Sequence, residues 1–314
     1  MIRRMTSASE KTTAAASGTW KLGDLTVNRL GFGAMRLTGS EPFGDGIPSD
    51  RGRSIAVLRR AVELGVNHID TAAFYFSRLR SANELINSAL GGPYPDDLVI
   101  TTKVWPGRDA SGEWGYATPA GLRGQVEENL RQLGRDHLDV VNLRLPPKQN
   151  GRSVAEYFGA LADLRTAGLI RHLGVSNVTP AHLAEAQTIA PVVCVQNAFG
   201  IGSPTEDHDF LRSCGEQGIA FVPFFAIAGA GREAGPGGGT GTGTGTAEGD
   251  AVLAVARAHD ATPAQIRLAW TLQLGPHVLA IPGTGNPDHL VANVAAGALR
   301  LSAQQLALLN DIRR

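Results

Sequence analysis

The 314-residue chain holds only two cysteines, Cys194 and Cys214, in apolar or helical contexts. Two such thiols exclude a disulfide framework and a cysteine-built metal centre, and they suit a reducing, cytoplasmic setting. No apolar run reaches about 18 residues, so no membrane-spanning helix is expected. Net charge is absent too. The 29 basic and 29 acidic residues cancel, which argues against a nucleic acid or a membrane surface as the main partner. Histidines are few, and His68, His137, His172 and His259 show no metal-ligand spacing.

What the chain has is a 43% hydrophobic composition, enough for a large core. Two stretches stand apart from it. Residues 1–17 read as a disordered tail without an apolar signal region. Gly235 to Thr246, reading GPGGGTGTGTGT, cannot pack a core and reads as a flexible loop. Residues 18–314 then form one domain.

Within it, short apolar runs alternate with amphipathic patterns. LGFGAM, VNHIDT, LVITTK, LDVVNL, LIRHLGVS, VVCVQ, IAFVPF and HVLAIP are eight candidate strands. Helices are expected at 51–64, 81–90, 119–133, 153–167, 179–189 and 206–216, then at 247–259, 263–274, 287–295 and 302–312. Thr-Pro pairs open several of them, a threonine cap followed by proline in the first turn. Eight β–α repeats imply an α/β fold, a (β/α)8 TIM barrel with a C-terminal helix. A doubly wound sheet would carry a third glycine and a helix directly after GFGAMR, and neither is present. TWKLGDLTVNRLGF reads as an N-terminal β-hairpin turned at Gly23-Asp24, capping the barrel floor.

Barrel sites collect at the C-terminal ends of the strands. There the sequence places Asp70 with Tyr75 close behind, Lys103, Arg144, Ser176-Asn177, Gln196, Phe224-Phe225 and Pro282 to Asn286. Cations beside a phenol stabilise its anion, and an Asp70–Lys103 pair would hold the ammonium in place. A proton donor beside a cationic carbonyl-binding group is what carbonyl reduction requires. No protein nucleophile with an adjacent base is evident, so hydride must come from a bound cofactor. Trp105 and Trp114, after the third strand, are candidates for the pocket wall, with surface or packing roles standing equally beside that one. Bland roles compete: a structural Asp70–Lys103 pair, Arg144 neutralising a buried carboxylate, and Phe224 or Phe225 as core aromatics.

LGFGAMRL, VNHIDTAAFY with Asn83-Glu84, TTKV, LRQLGRDHLDVVNL, GVSN, Gln196, FVPFF and IPGT with HLVAN together resemble the aldo-keto reductase superfamily over nearly the whole chain. The variant VVNLR, with TKVWPGR and FVPFF, resembles its bacterial pyridoxal reductase subgroup. The resemblance implies a barrel binding NADPH, with NADH as the alternative, and a small carbonyl substrate, pyridoxal-like or otherwise cyclic. It makes Tyr75 the general acid, tuned by Lys103 and Asp70. Ser176, Asn177 and Gln196 would hold the nicotinamide carboxamide and Phe224 would stack on its ring. Ala34 and Met35 would approach the ribose, Thr284, His289 and Asn293 the adenosine end, with Phe225, Ile227 and Gly283 completing the cofactor contacts. Three positions depart from the family pattern. Arg144 stands where a histidine usually completes the catalytic tetrad. Gly283 and His289 stand where many NADPH-specific members carry lysine and arginine. Arginine donates hydrogen bonds but relays no proton, so Arg144 would polarise the carbonyl or bind an anionic substrate group. Two other readings stay open: a biosynthetic reductase acting on an iminium or enone or in a redox-neutral step, and a cofactor-binding regulatory subunit without turnover.

Overall fold

The computed structural model describes residues 12–40, 43–44, 47–108, 114–146, 151–227 and 247–312. The chain opens with a 3-10 turn, Ala14–Ser17, and a hairpin of β1 (Thr19–Leu22) and β2 (Leu25–Asn28). Next come β3 (Phe32–Gly33), a second 3-10 turn (Ala34–Leu37), β4 (Phe43–Gly44), α1 (Arg51–Glu63), β5 (His68–Asp70), β6 (Phe76–Ser77), β7 (Arg80–Ser81) and α2 (Ala82–Leu90). The middle carries β8 (Val99–Val104), β9 (Gly107–Arg108), β10 (Trp114–Gly115), α3 (Leu122–Leu133), β11 (Leu138–Arg144), α4 (Ala155–Thr166), β12 (Ile170–Ser176) and α5 (Pro180–Gln187). It ends with β13 (Val192–Gln196), α6 (Thr205–Glu216), β14 (Ala220–Phe221), α7 (Ala247–Ala258), α8 (Pro263–Gln273), α9 (Pro287–Ala295), a 3-10 turn (Ala296–Ala298) and α10 (Ala303–Asn310).

Seven strands form one parallel sheet in the order β3-β5-β8-β11-β12-β13-β14. The eighth expected strand, HVLAIP, closes the ring without a continuous ladder. Val278 bridges Phe221 on one side and Ala280 bridges Leu30 on the other, both in parallel. Phe221 N–H donates to the His277 carbonyl at 3.0 Å and Gly31 N–H to the Ala280 carbonyl at 2.8 Å. The fold is the expected α/β barrel.

Local chemistry accounts for the helix starts. Asp50 caps α1 by accepting from Arg53 N–H, and Thr179 and Thr262 each form a capping box with proline at the next position. One start differs from expectation. The helix expected from Pro119 begins at Leu122, because the Thr118 hydroxyl and carbonyl accept from Gly121 N–H and close a turn instead. The tail expected over 1–17 is ordered at its end. Ser17 donates to the Ala14 carbonyl and accepts from Leu30 N–H. Arg29 reaches the carbonyls of Ser17, Leu272 and Gly275 at 2.7–2.9 Å. The expected loop at 235–246 and residues 1–11 lie outside the described residues.

Alternation along each strand divides the core in two. In β11, Val141 and Leu143 belong to the large layer between sheet and helices, while Val140 faces the barrel interior. There it meets Leu22 and Val27 of the hairpin, Val99, Cys194, Ala220, Val222 and Leu279. The hairpin therefore plugs the floor, with its turn at Gly23-Asp24 as expected. Arg171 and His172 of β12 hold Asp24 at 2.6 and 2.5 Å and keep its carboxyl well below the usual range.

The interior leaves little room. A methyl on Gly174 would strike the Asn142 side-chain oxygen and lie 2.6 Å from Cys194 Sγ and 3.0 Å from its carbonyl oxygen. Gly174→Ala is therefore expected to lower stability by about 1–3 kcal/mol, read as a smaller midpoint in urea unfolding, because an overpacked core must shift backbone.

Candidate active site

Inward residues at the ends of adjacent strands build the mouth. Asp70 ends β5 and Lys103 lies near the end of β8, and both are essentially buried. The Lys103 ammonium donates to both Asp70 oxygens, at 2.8 and 2.6 Å, and to the Thr71 carbonyl at 2.9 Å. Gln196, ending β13, donates its amide to Asp70 at 2.7 Å. The Tyr75 ring lies 5.0 Å, centroid to ammonium, from Lys103 and is nearly buried. Asp70, Tyr75, Lys103 and Gln196 thus form one contiguous cluster.

A second cluster borders it. Arg144 ends β11, where register pairs it with Ser176 of β12. Its guanidinium donates to the Ser176 hydroxyl at 3.0 Å and lies 5.0 Å from the centroid of Phe224. Phe224 follows β14, so the side chain reaches from one strand towards the third beyond it. Phe225 stands edge-on to Phe224 at 5.0 Å and is 44% exposed. Neither ring is a core aromatic; Phe224 is half-buried.

The other expected positions are placed as follows. Ala34 is buried and Met35 half-buried in the turn after β3. Gly283 abuts them. A methyl there would strike the Gly33 carbonyl, so this position admits no side chain without moving backbone. Ile227 packs against the main core. Thr284 is buried and accepts from Asn286 N–H at 3.0 Å, Asn293 is buried in α9, and His289 is exposed on the first turn of that helix. Among the described residues, Thr284 and Asn293 lie apart from the hydrogen bonds that join Asp70, Lys103 and Gln196.

The remaining hydrogen-bonding capacity fits a carboxamide. The Ser176 hydroxyl accepts from Arg144, which leaves its own O–H to donate. Asn177 spends its amide N–H on the Leu145 carbonyl and keeps its side-chain oxygen. Gln196 Oε1 receives only a long 3.5 Å bond from Asn142. On neighbouring strand ends these residues offer a donor and two acceptors, the kinds of group that complement an amide.

Conformational strain marks the same rim. Among the described residues, four without a glycine's freedom have positive φ, and three stand just beyond strand ends: Trp105 (51°), Asn177 (57°) and Phe225 (64°). Asparagine tolerates this region, whereas bulky aromatics adopt it only under constraint. Of the two roles open to it, Trp105 takes packing. It is 1% exposed, stacked on Tyr157 of α4 at 4.1 Å, with Arg152 4.9 Å above its ring. The Trp114 side chain lies outside the described residues.

Sequence reasoning missed the supports. Asn142, inward and buried, bridges Cys194 and Gln196 beneath the ion pair. Asn129 of α3 accepts from Thr102 and Asn83, and Asn83 accepts from the Thr71 hydroxyl. A polar residue at the inward register of β11, between Val140 and Arg144, was the available signal for Asn142. Burial sets the titration of the interior. It pushes the Cys194 thiol up to about 12 and holds His68, bonded to Thr101, down to about 4.

Three comparisons bear on this geometry. The family model described as "Aldo/keto reductase family" matches residues 29–314. Pyridoxine 4-dehydrogenase of Escherichia coli is 43% identical over 305 residues, covering 95% of this chain and 99% of its own. An uncharacterised oxidoreductase of Schizosaccharomyces pombe is 38% identical over 98% of this chain and 93% of its own. The crystal structure of a Klebsiella pneumoniae aldo/keto reductase in complex with NADP and acetate matches with a TM-score of 0.72 at 27% identity, over 91% of each chain.

Lys103→Met should lower stability by about 3–5 kcal/mol in urea, because it strands a buried carboxylate. Adding Asp70→Asn should recover part of that loss, so the two effects fall short of additivity. His68 titrates from 6.5 in the unfolded chain to about 4 in the folded one. Its contribution is complete above pH 6.5 and fades as pH falls through about 4, a loss on the order of 3 kcal/mol. The pH dependence of urea midpoints should flatten over this range in His68→Gln.

Proposed function

The chain belongs to the aldo/keto reductase family, an oxidoreductase using a nicotinamide cofactor, and on that premise we propose that it interconverts an aldehyde or ketone and its alcohol with Tyr75 as the proton donor. The observation that carries this is the buried Asp70–Lys103 pair, whose ammonium lies 5.0 Å from the Tyr75 ring at the mouth of the barrel. The bound nicotinamide would supply or accept the hydride at the carbonyl carbon. Every other task falls to the chain.

Tyr75 donates its phenolic proton to the carbonyl oxygen as charge develops there, and the fixed Lys103 ammonium stabilises the phenolate left behind. Asp70 holds that ammonium in place, and Gln196 and the Thr71 carbonyl complete the support. The Ser176 hydroxyl and the Asn177 and Gln196 side-chain oxygens would grip the carboxamide, and Phe224 would offer its face to the ring. Ala34, Met35, Phe225 and Ile227 would line the rest of the cofactor's path.

NADPH is the proposed cofactor, with Thr284, His289 and Asn293 addressing its adenosine end. Gly283 makes no charged contact there, and its close approach to the Gly33 carbonyl bars a lysine. That leaves the exposed His289 imidazole on α9 as a hydrogen-bonding candidate for a 2′-phosphate, so the NADPH preference should be modest. The identity to a pyridoxine 4-dehydrogenase, together with the aromatic rim, favours a pyridoxal-like or other cyclic carbonyl as substrate.

Tyr75→Phe should lower kcat for pyridoxal or a simple aldehyde by about 10²–10⁴-fold, the usual weight of a positioned acid. NADPH should still bind, as read by quenching of protein fluorescence. Turnover undiminished in Tyr75→Phe would remove Tyr75 from the role of acid.

A further inference from the structure

Arg144 is oddly served by its surroundings. It points inward from the end of β11, sharing the face of Val140 and Asn142, and is half-buried. One N–H is spent on Ser176, itself fully buried, and the guanidinium plane rests near the Phe224 ring. Among the described residues no carboxylate forms an ion pair with it. Asp70, the buried carboxylate of the mouth, is saturated by Lys103 and Gln196. The described side chains of the two clusters thus sum to one excess positive charge, held beside an apolar ring where water screens poorly.

The geometry points to a receptor for a second, anionic oxygen on the substrate. A guanidinium offers a planar fork of donors, and among the described residues Ser176 alone takes a hydrogen bond from it. Register sets Arg144 two residues further along its strand than Asn142, the partner of Lys103, and one strand across. The Tyr75 hydroxyl beside Lys103 and the Arg144 fork can therefore address two oxygens of one small molecule. One is the carbonyl being reduced near Tyr75 and Lys103. The other is a ring oxyanion on the neighbouring carbon. The exposed rim at Phe225, edge-on to Phe224, leaves an apolar edge for the flat ring that would carry both. The preferred substrate class is an aromatic aldehyde whose carbonyl is flanked by a phenolate-type oxygen.

This rests on the reductase reading but makes a separate claim. If Arg144 only polarised the reacting carbonyl, its loss would depress all aldehydes alike. If it binds a flanking oxyanion, its loss removes a preference. The test compares 2-hydroxybenzaldehyde, 2-methoxybenzaldehyde and benzaldehyde with NADPH and the full-length protein, as wild type, Arg144→Gln and Arg144→Lys, across pH.

In wild type, kcat/KM for the 2-hydroxy compound should exceed that of the 2-methoxy compound by about ten- to a hundredfold, the weight of one hydrogen bond between charged groups. The advantage should grow as pH rises and the hydroxyl ionises. Arg144→Gln should bring the ratio close to one, and Arg144→Lys, with charge but no fork, should keep part of it. A second readout needs no turnover. 2-Nitrophenol carries no reducible carbonyl, and its visible band reports its ionised form. Wild type should bind the anion and lower the pH at which the bound molecule ionises, and Arg144→Gln should not.

A ratio near one in wild type, or one unchanged in Arg144→Gln, overturns the proposal while leaving a working reductase. Failure to oxidise NADPH with any aldehyde overturns the reductase reading instead, and the nitrophenolate titration then decides the anion site alone.

Discussion

The mouth of this barrel is organised around one buried ion pair. Removing an ammonium and a carboxylate from water costs several kcal/mol each unless every donor and acceptor finds a partner. Lys103 and Asp70 meet that demand in full, through each other, the Thr71 carbonyl and Gln196. The pair can hold only if β5, β8 and β13 keep their relative heights, so the chemistry of the site and the register of the sheet are the same constraint. Asn142 and Cys194 fill the layer below, and Gly174 is glycine because that layer has no volume left.

The support extends outward into the helices. Thr71 and Thr102 flank the ion pair in sequence and face away from the barrel interior, where both bond to the Asn83–Asn129 pair of α2 and α3. Asn129 also donates to the Gln125 carbonyl, and the Gln125 side chain accepts from Trp105 N–H. A continuous polar chain thus links the carboxylate's own loop to the loop after β8. Satisfied buried networks of this kind rigidify a core and specify one arrangement of it.

How much of this was legible depended on range. The Thr-Pro helix starts at 179 and 262, the Gly23-Asp24 hairpin and the strand-end positions of Asp70, Arg144 and Gln196 are set by neighbours a few residues away, and they could be read directly. The last strand could be located but not its pairing, because two bridges to Leu30 and Phe221 replace a ladder. Trp105 could be read equally as pocket wall or as packing, because nothing local reveals that Tyr157, on a helix beyond the next strand, covers it. Arg144 was visible as an anomaly, yet its rest position beside Phe224 depends on strands meeting far apart in sequence.

The left-handed backbone at Trp105, Asn177 and Phe225 has an evolutionary consequence. A bulky residue held there forgoes about 1–2 kcal/mol that glycine would not, so the rim is an energetic concession made by the rest of the barrel. Selection for heat tolerance alone would reward glycine at Phe225 and so trim the aromatic edge of the site. Phenylalanine in that conformation is therefore a choice that stability by itself does not explain.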